Sequence, residues 1–577
     1  MPVQGMPATS ATGLVRRARQ SLIRYHRADD GSMLIFGLFL FVSMLLIAGM
    51  ALDLMRFEER RTKLQATIDR AVLAAADMDQ TLDCKSVVKD WFQKAGAATP
   101  ADNQITCTKN DFGSEVKVVA STSMPTWFMK MVGVPTLATP TASTAEEKIG
   151  SVEISLVLDV SGSMKGSRIG NLIPAAKSFV DQMFDSVETG KLSMSVVTYS
   201  TQVSLGQDLL KYFWHTAEHT DSSCLEFASS DYLTTGVMPK STPVGSPPGP
   251  GDHQYQLNGY FDPFYTSLVD LSSSGTLLNC PDDAVQSNRA ILPLSANRTK
   301  LKNTIGALSA GGNTSIDIGM KWGAALLDPS MQAVVTAMIA ENKVDASVAG
   351  RPYSYTKPDG SKNNDVLKVI VVMTDGENTT EYRLRDINGS DYDFGPSQVF
   401  YNNTSNSSYN GSSWYKRFSW YDPTRSGNKY YSLYTNSWRS EPWGTQTGDI
   451  SGTDTTVQLT WPQVWKMMSI DWLADNIVYK VYGSTTTRNK WRSGYSNSIT
   501  TSYISSTKDS STLSMCTAAK DKGVKVYAIA FEAPTDGQNL LKQCASSPAH
   551  YYYTSGSNIS HVFSAIANSI NKLRLTH

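Results

Sequence analysis

Asp159, Ser161 and Ser163 stand at alternate positions at the end of the apolar stretch VEISLVLDVSGSM, residues 152–164. One carboxylate and two hydroxyls offer hard oxygen ligands, with no imidazole or thiolate among them. Two further polar clusters follow. In SAGGNTSIDIG, residues 309–319, Thr314 precedes a helical pattern; in VVMTDGEN, residues 371–378, Asp375 ends a very apolar run. Together Asp159, Ser161, Ser163, Thr314 and Asp375 bring two carboxylates and three hydroxyls. That donor set suits Mg2+, or Mn2+, which prefer octahedral oxygen coordination and often keep waters. Two acidic groups neutralise such an ion incompletely, so a carboxylate from a partner could complete its shell.

Bringing three distant clusters together requires strand ends and a helix start at one point. From residue 151 onward the chain alternates in the required way. The stretches VEISLVLDV, KLSMSVVTYS, DVLKVIVVMTDG, VKVYAIAFE and HYYYTS read as strands. Between and after them, IGNLIPAAKSFVDQMFDSV, SIDIGMKWGAALL, LSMCTAAKDKG and NISHVFSAIANSINKLRL read as helices. Apolar strands alternating with helices predict an α/β fold, a doubly wound and mostly parallel sheet covered on both faces. In such folds ligands sit at the carboxyl ends of strands, where Asp159 falls. Two insertions interrupt the pattern, at about 205–300 and 379–510. In the first part of the second, about one residue in four is aromatic and most others are Ser, Asn or Gly. Binding loops favour that composition, but so does a β-rich insertion with its own aromatic core. Within it, WPQVWKMMSIDWLADNI reads as a helix with Val464, Met467, Met468 and Trp472 on its core side.

The N-terminal part is of a different kind. SMLIFGLFLFVSMLLIAGMAL, Ser32 to Leu52, carries no charge and is long enough to span a bilayer as a helix. It is too long for the core of a cleaved signal peptide. Arg16, Arg17, Arg19, Arg24 and Arg27 precede it, which predicts a cytoplasmic N-terminus with the bulk of the chain outside. Residues 1–31 read as a basic tail. Leu54, Phe57, Leu64, Ile68, Ala71, Ala75 and Met78 then form a stripe, so one helix is expected over about 32–80, roughly 70 Å long. It could pack on its own domain or bundle with pilin-like neighbours. Residues 81–150 read as a small α+β unit, with SVVKDWFQKAG helical, SEVKVVASTS a strand and TPTASTAEEKIG a linker. All six cysteines, Cys84, Cys107, Cys224, Cys280, Cys516 and Cys544, follow the apolar span. An even count there points to disulfides in an oxidising compartment. Sequence neighbours would pair as 84–107, 224–280 and 516–544, one of fifteen possible schemes.

The formal net charge is zero, and nothing in it suggests a nucleic-acid partner. HTAEH, His215 to His219, fits the H-x-x-E-H pattern of some zinc peptidases. It lies in an irregular insertion without a third ligand, and no Ser/His/Asp or Cys/His arrangement supports an enzyme.

On these residues the chain from 151 resembles the von Willebrand factor type A family. Asp159-x-Ser161-x-Ser163, Thr314 and Asp375 resemble its metal-ion-dependent adhesion site. The resemblance implies that the serines and the threonine contact the metal and that the aspartates act partly through water. The segment from Asp29 to Ala76 resembles the TadE/TadG-type proteins of Tad pilus assembly, through Asp53 just past the span and the run DRAVLAAA from Asp69. A prepilin carries Glu at the fifth position after its cleavage glycine; counting from Gly31, that position here is Phe36. The two resemblances imply a bacterial inner-membrane, single-pass protein of adhesion type. Its expected partners are a protein offering a carboxylate, and pilins or Tad machinery proteins.

Overall fold

The computed structural model describes residues 30–77, 80, 82–110, 113–148, 150–216, 219–262, 279–363, 365–385, 392–403, 411–446, 448–449, 455–492 and 498–576. The basic tail before residue 30, Met78 and Glu218 lie outside them. The chain divides into two compact units, Met1–Ile149 and Gly150–His577.

In the first unit the charge-free run and the stripe beyond it form one helix, α1 (Asp30–Ala76). Its apolar half is exposed and is long and apolar enough to cross a membrane. Its second half buries Leu64, Ile68, Ala71, Val72 and Ala75. These pack on α2 (Cys84–Lys94) and on an antiparallel sheet of β1 (Ile105–Asn110), β2 (Gly113–Pro125) and β3 (Thr136–Lys148). Leu54, expected in the stripe, is exposed. At 100° per residue it stands about 80° around the helix from Leu64. The expected linker is instead strand β3, paired with β2 from end to end. Pro140 made that segment read as a break, yet β3 is an edge strand, where proline is tolerated. Cys84 bonds to Cys107, tying α2 to β1.

The second unit is built on a six-stranded sheet. Its strands are β4 (Ser151–Asp159), β5 (Leu192–Tyr199), β6 (Leu292–Ser295), β7 (Val366–Thr374), β8 (Lys525–Phe531) and β9 (Tyr551–Thr554). Their order is β9-β8-β7-β4-β5-β6, all parallel except β6. Side chains of β4 and β7 alternate between two cores. Val157, Ile370 and Val372 face α5 (Ile316–Ala325), α6 (Ser505–Asp521) and α7 (Thr535–Cys544). Leu156, Leu158, Val369 and Val371 face α3 (Ser167–Ser186), α4 (Arg298–Gly306) and α8 (Ile559–Thr576). Burial on both faces explains why these strands read as unbroken apolar runs rather than alternating ones.

The first insertion is shorter than expected, because β6 and α4 belong to the main fold. Pro293 inside LPLS hid the strand, which again lies at a sheet edge. The second insertion has its own five-stranded antiparallel sheet and an aromatic core including Phe418, Trp420, Trp461, Trp465 and Trp472. The single helix expected at 461–477 breaks at Met468, which is extended (φ −154°, ψ 151°). Ser469 there accepts a hydrogen bond from the Trp472 N–H and starts a new helix. The remaining cysteines pair as Cys224–Cys280 and Cys516–Cys544.

Candidate metal centre

Strand β4 ends at Asp159 and the parallel strand β7 ends at Thr374, with Leu158 opposite Met373. The register therefore sets Asp159 beside Thr374 and Asp375 at one edge of the sheet. Thr374 Oγ1 donates to Asp159 Oδ2 at 2.6 Å, and the Ser161 N–H donates to Asp159 Oδ1 at 2.7 Å. Ser161 and Ser163 hydroxyls lie 3.0 Å apart. Ser163 Oγ donates to Asp375 Oδ1 at 2.6 Å. Four of the five expected residues thus form one hydrogen-bonded chain.

Thr314 arrives from a third direction, in the loop before α5. Backbone hydrogen bonds dock that loop onto the β4 end: the Gly311 N–H donates to Val160 O, and the Gly162 N–H to Gly312 O, each at 2.8 Å. Gly312 has φ +84°, and a Cβ on it would sit 3.1 Å from Ser200 Oγ. A Cβ on Gly376, next to Asp375, would meet Thr314 Oγ1 at 3.4 Å, so the threonine hydroxyl borders the same cluster.

The electrostatics favour a cation. Asp159 and Asp375 are both buried. Burial, reinforced by the Asp375 charge, pushes the Asp159 carboxyl up to about 6. Two buried carboxylates and three hydroxyls, of which Ser163 stands at the exposed side, fit a hard divalent ion. Among the described residues, no three His, Cys, Asp or Glu side chains cluster in a metal-binding arrangement. His215 lies in a two-residue strand and hydrogen-bonds to Thr216 O, while His219 is held by Asn258 O. Among the described residues, neither histidine lies on a helix, as the H-x-x-E-H pattern would require.

Sequence reasoning missed several supporting residues. Arg168, in the first turn of α3, donates from Nη1 to Asp375 Oδ2 at 2.7 Å and from Nε to Glu532 Oε2 at 2.9 Å. Glu532 sits just past β8 with φ +56°, a strained setting for a non-glycine residue, and also accepts the Gly556 N–H. Arg289 is buried, and its Nη2 donates to Val160 O and Gly311 O, clamping the Thr314 loop. The signal for Arg168 and Glu532 was their position beside a site residue and a strand end. Arg289 carried none, because it reaches the site from an insertion.

Residues 31–78 match the Tad family, described as "Putative Flp pilus-assembly TadE/G-like". No curated protein matches the chain in sequence. Among solved structures, the von Willebrand factor domain of the type V pilus tip protein Mfa5 from Porphyromonas gingivalis matches at 12% identity and TM-score 0.29. That match covers 73% of this chain and 96% of that one. The pilus adhesin SpaC from Lactobacillus rhamnosus GG matches at 12% identity and TM-score 0.28, over 81% of this chain and 33% of that one. The adhesive tip pilin GBS104 from Group B Streptococcus agalactiae matches at 11% identity and TM-score 0.25, over 73% of this chain and all of that one.

Proposed function

We propose that this chain is a membrane-anchored, metal-dependent binding protein of adhesion type, acting in Tad/Flp pilus assembly or surface attachment. The observation that carries the proposal is the convergence of Asp159, Ser161 and Ser163 with Asp375 at the carboxyl edge of the parallel sheet, with Thr314 alongside. The TadE/G-like segment at 31–78 supports the pilus context. Helix α1 would anchor the chain in the inner membrane, with the basic tail in the cytoplasm and both units outside. Asp159, Ser161, Ser163, Thr314 and Asp375 would hold Mg2+ or Mn2+. A bound ion would supply an electrophilic position for a carboxylate of a protein partner. Ser163 lies at the open side of the cluster, and the Gly311–Gly312 backbone holds Thr314 in place.

A second reading has its own support. The cluster satisfies itself through Ser163, Asp375 and Arg168, so it could simply brace the fold of an envelope scaffold. Ser163→Ala in the full chain separates the two. Under the binding reading, adhesion and the thermal shift with Mg2+ fall while the melting point in EDTA holds. If instead the EDTA melt drops and partner binding survives, the scaffold reading stands and the binding proposal fails.

A further inference from the structure

The loop joining β2 to β3 is PTWFMKMVGVPT, residues 125–136, and it contains no acidic residue. Its tip is apolar and open: Trp127 is 61% exposed, Met131 74% and Val132 50%. A hairpin tip of a soluble domain would place polar residues there. The tip also has a fixed position. Asp53, buried on α1, accepts backbone N–H groups from Trp127, Phe128 and Met129 at 2.7 to 3.0 Å. The Phe128 ring lies directly on Gly49, where a Cβ would fall 2.3 Å from the ring; only glycine lets the loop come this close. Arg56 stacks its guanidinium over Trp127 at 3.6 Å.

The depth of this contact gives its meaning. The charge-free run ends at Leu52, so Gly49 lies about 4.5 Å of helix rise inside its outer end. The tip is therefore pinned beside the last apolar turn of α1, and Leu45, one turn earlier on the Gly49 side of the helix, is exposed as well. Tryptophan favours the membrane–water interface, and long cationic side chains reach from it to the headgroups. Trp127, Arg56 and the exposed Lys130 make that set.

We infer that the β2–β3 tip is a second membrane-contacting element, resting Trp127, Met131 and Val132 in the outer interface of the bilayer that α1 crosses. It rests on the reading of α1 as a membrane span. The contact fixes the depth and rotation of the helix. A helix alone is free to slide and turn; a hairpin clamped to it at Asp53 is not.

The test uses the full chain in vesicles of phosphatidylethanolamine and phosphatidylglycerol. All six native cysteines are paired, so an added cysteine is the one labelling site. An NBD fluorophore goes on Met131→Cys, on Lys117→Cys as an exposed site on the sheet, or on Phe41→Cys within the span. Nitroxide-bearing lipids serve as quenchers, with the nitroxide near the headgroup or deep in the chain. The expected result is blue-shifted emission at 131 with loss to the shallow quencher, no loss at 117, and loss to the deep quencher at 41. Adding Asp53→Ala should reduce the loss at 131 and leave 41 unchanged. Water-like, unquenched emission at 131 with quenching at 41 would overturn the inference while the span stands. Blue-shifted but unquenched emission at 131 would mean a protein surface covers the tip, which also overturns it. No quenching at 41 would remove the span itself and the inference with it.

Discussion

Asp53 and Asp375 are both buried carboxylates at the end of an apolar element, and they are held in opposite ways. Asp53 takes three backbone N–H groups from consecutive residues of one loop. Those donors are part of the hairpin and cannot leave without unravelling it. Asp375 takes a serine hydroxyl and a guanidinium, both on rotatable side chains. Its partners can turn aside and leave the oxygens to another ligand. One residue type thus serves as a latch in the first unit and keeps exchangeable side-chain partners in the second.

The sharpest way to break this contrast is to remove the latch. Asp53→Ala leaves three amides without an acceptor, and exchange at Trp127, Phe128 and Met129 should quicken by about 100-fold or more. Hydrogen exchange resolved by mass spectrometry reads it, and unchanged protection would show that the loop holds itself. Next comes Asp375→Asn, which keeps the shape and removes the charge. With Mg2+ at about 100 times its dissociation constant, the native chain should gain about 2.7 kcal/mol over EDTA, and the variant nothing. Calorimetry of the two melts decides it, and an equal gain in both would exclude Asp375 as a ligand.

A third effect concerns acidity. Asp159 holds its proton more tightly folded, at about 6, than the ordinary 3.8 of an unfolded chain. Between those values the metal-free protein binds more protons than the unfolded chain, so its stability falls as pH rises. A cation needs the ionised carboxylate. The stabilisation by Mg2+ should therefore be full above about pH 7 and fade below about pH 6. Melts across that range check the sign, and a pH-independent gain would place the cation elsewhere. The smallest effect is that of Arg168→Gln. It removes a partly exposed competing cation whose pairing amounts to roughly 0.5–1 kcal/mol. Mg2+ should bind roughly twofold to fivefold more tightly by isothermal titration. Weaker binding would mean that Arg168 instead positions Asp375 for the metal.

The strands of the second unit were legible because burial on both faces leaves unbroken apolar runs. Asp159, Ser161, Ser163 and Asp375 were legible because each sits at or just past the end of such a run. The short edge strand β6 and the edge strand β3 were not, since Pro293 and Pro140 imitate breaks that an edge position tolerates. Arg168, Glu532 and Arg289 escaped for another reason. Their roles depend on contacts from sequence-distant elements; position near a site residue or strand end marks Arg168 and Glu532 but does not name their partners, and nothing local marks Arg289.

By itself, the sequence determined the six cysteines after the apolar run, the uncharged run itself, the parallel α/β order and the donor types of the candidate site. Those depend on composition and period, which are local properties. Tertiary structure alone decided that Arg168 reaches Asp375, that the Gly311–Gly312 loop docks Thr314 beside the β4 end, and that Asp53 clamps a loop more than seventy positions away. Each of these is a contact between groups that only the folded chain brings within hydrogen-bonding distance, and a hydrogen bond has no reach beyond that.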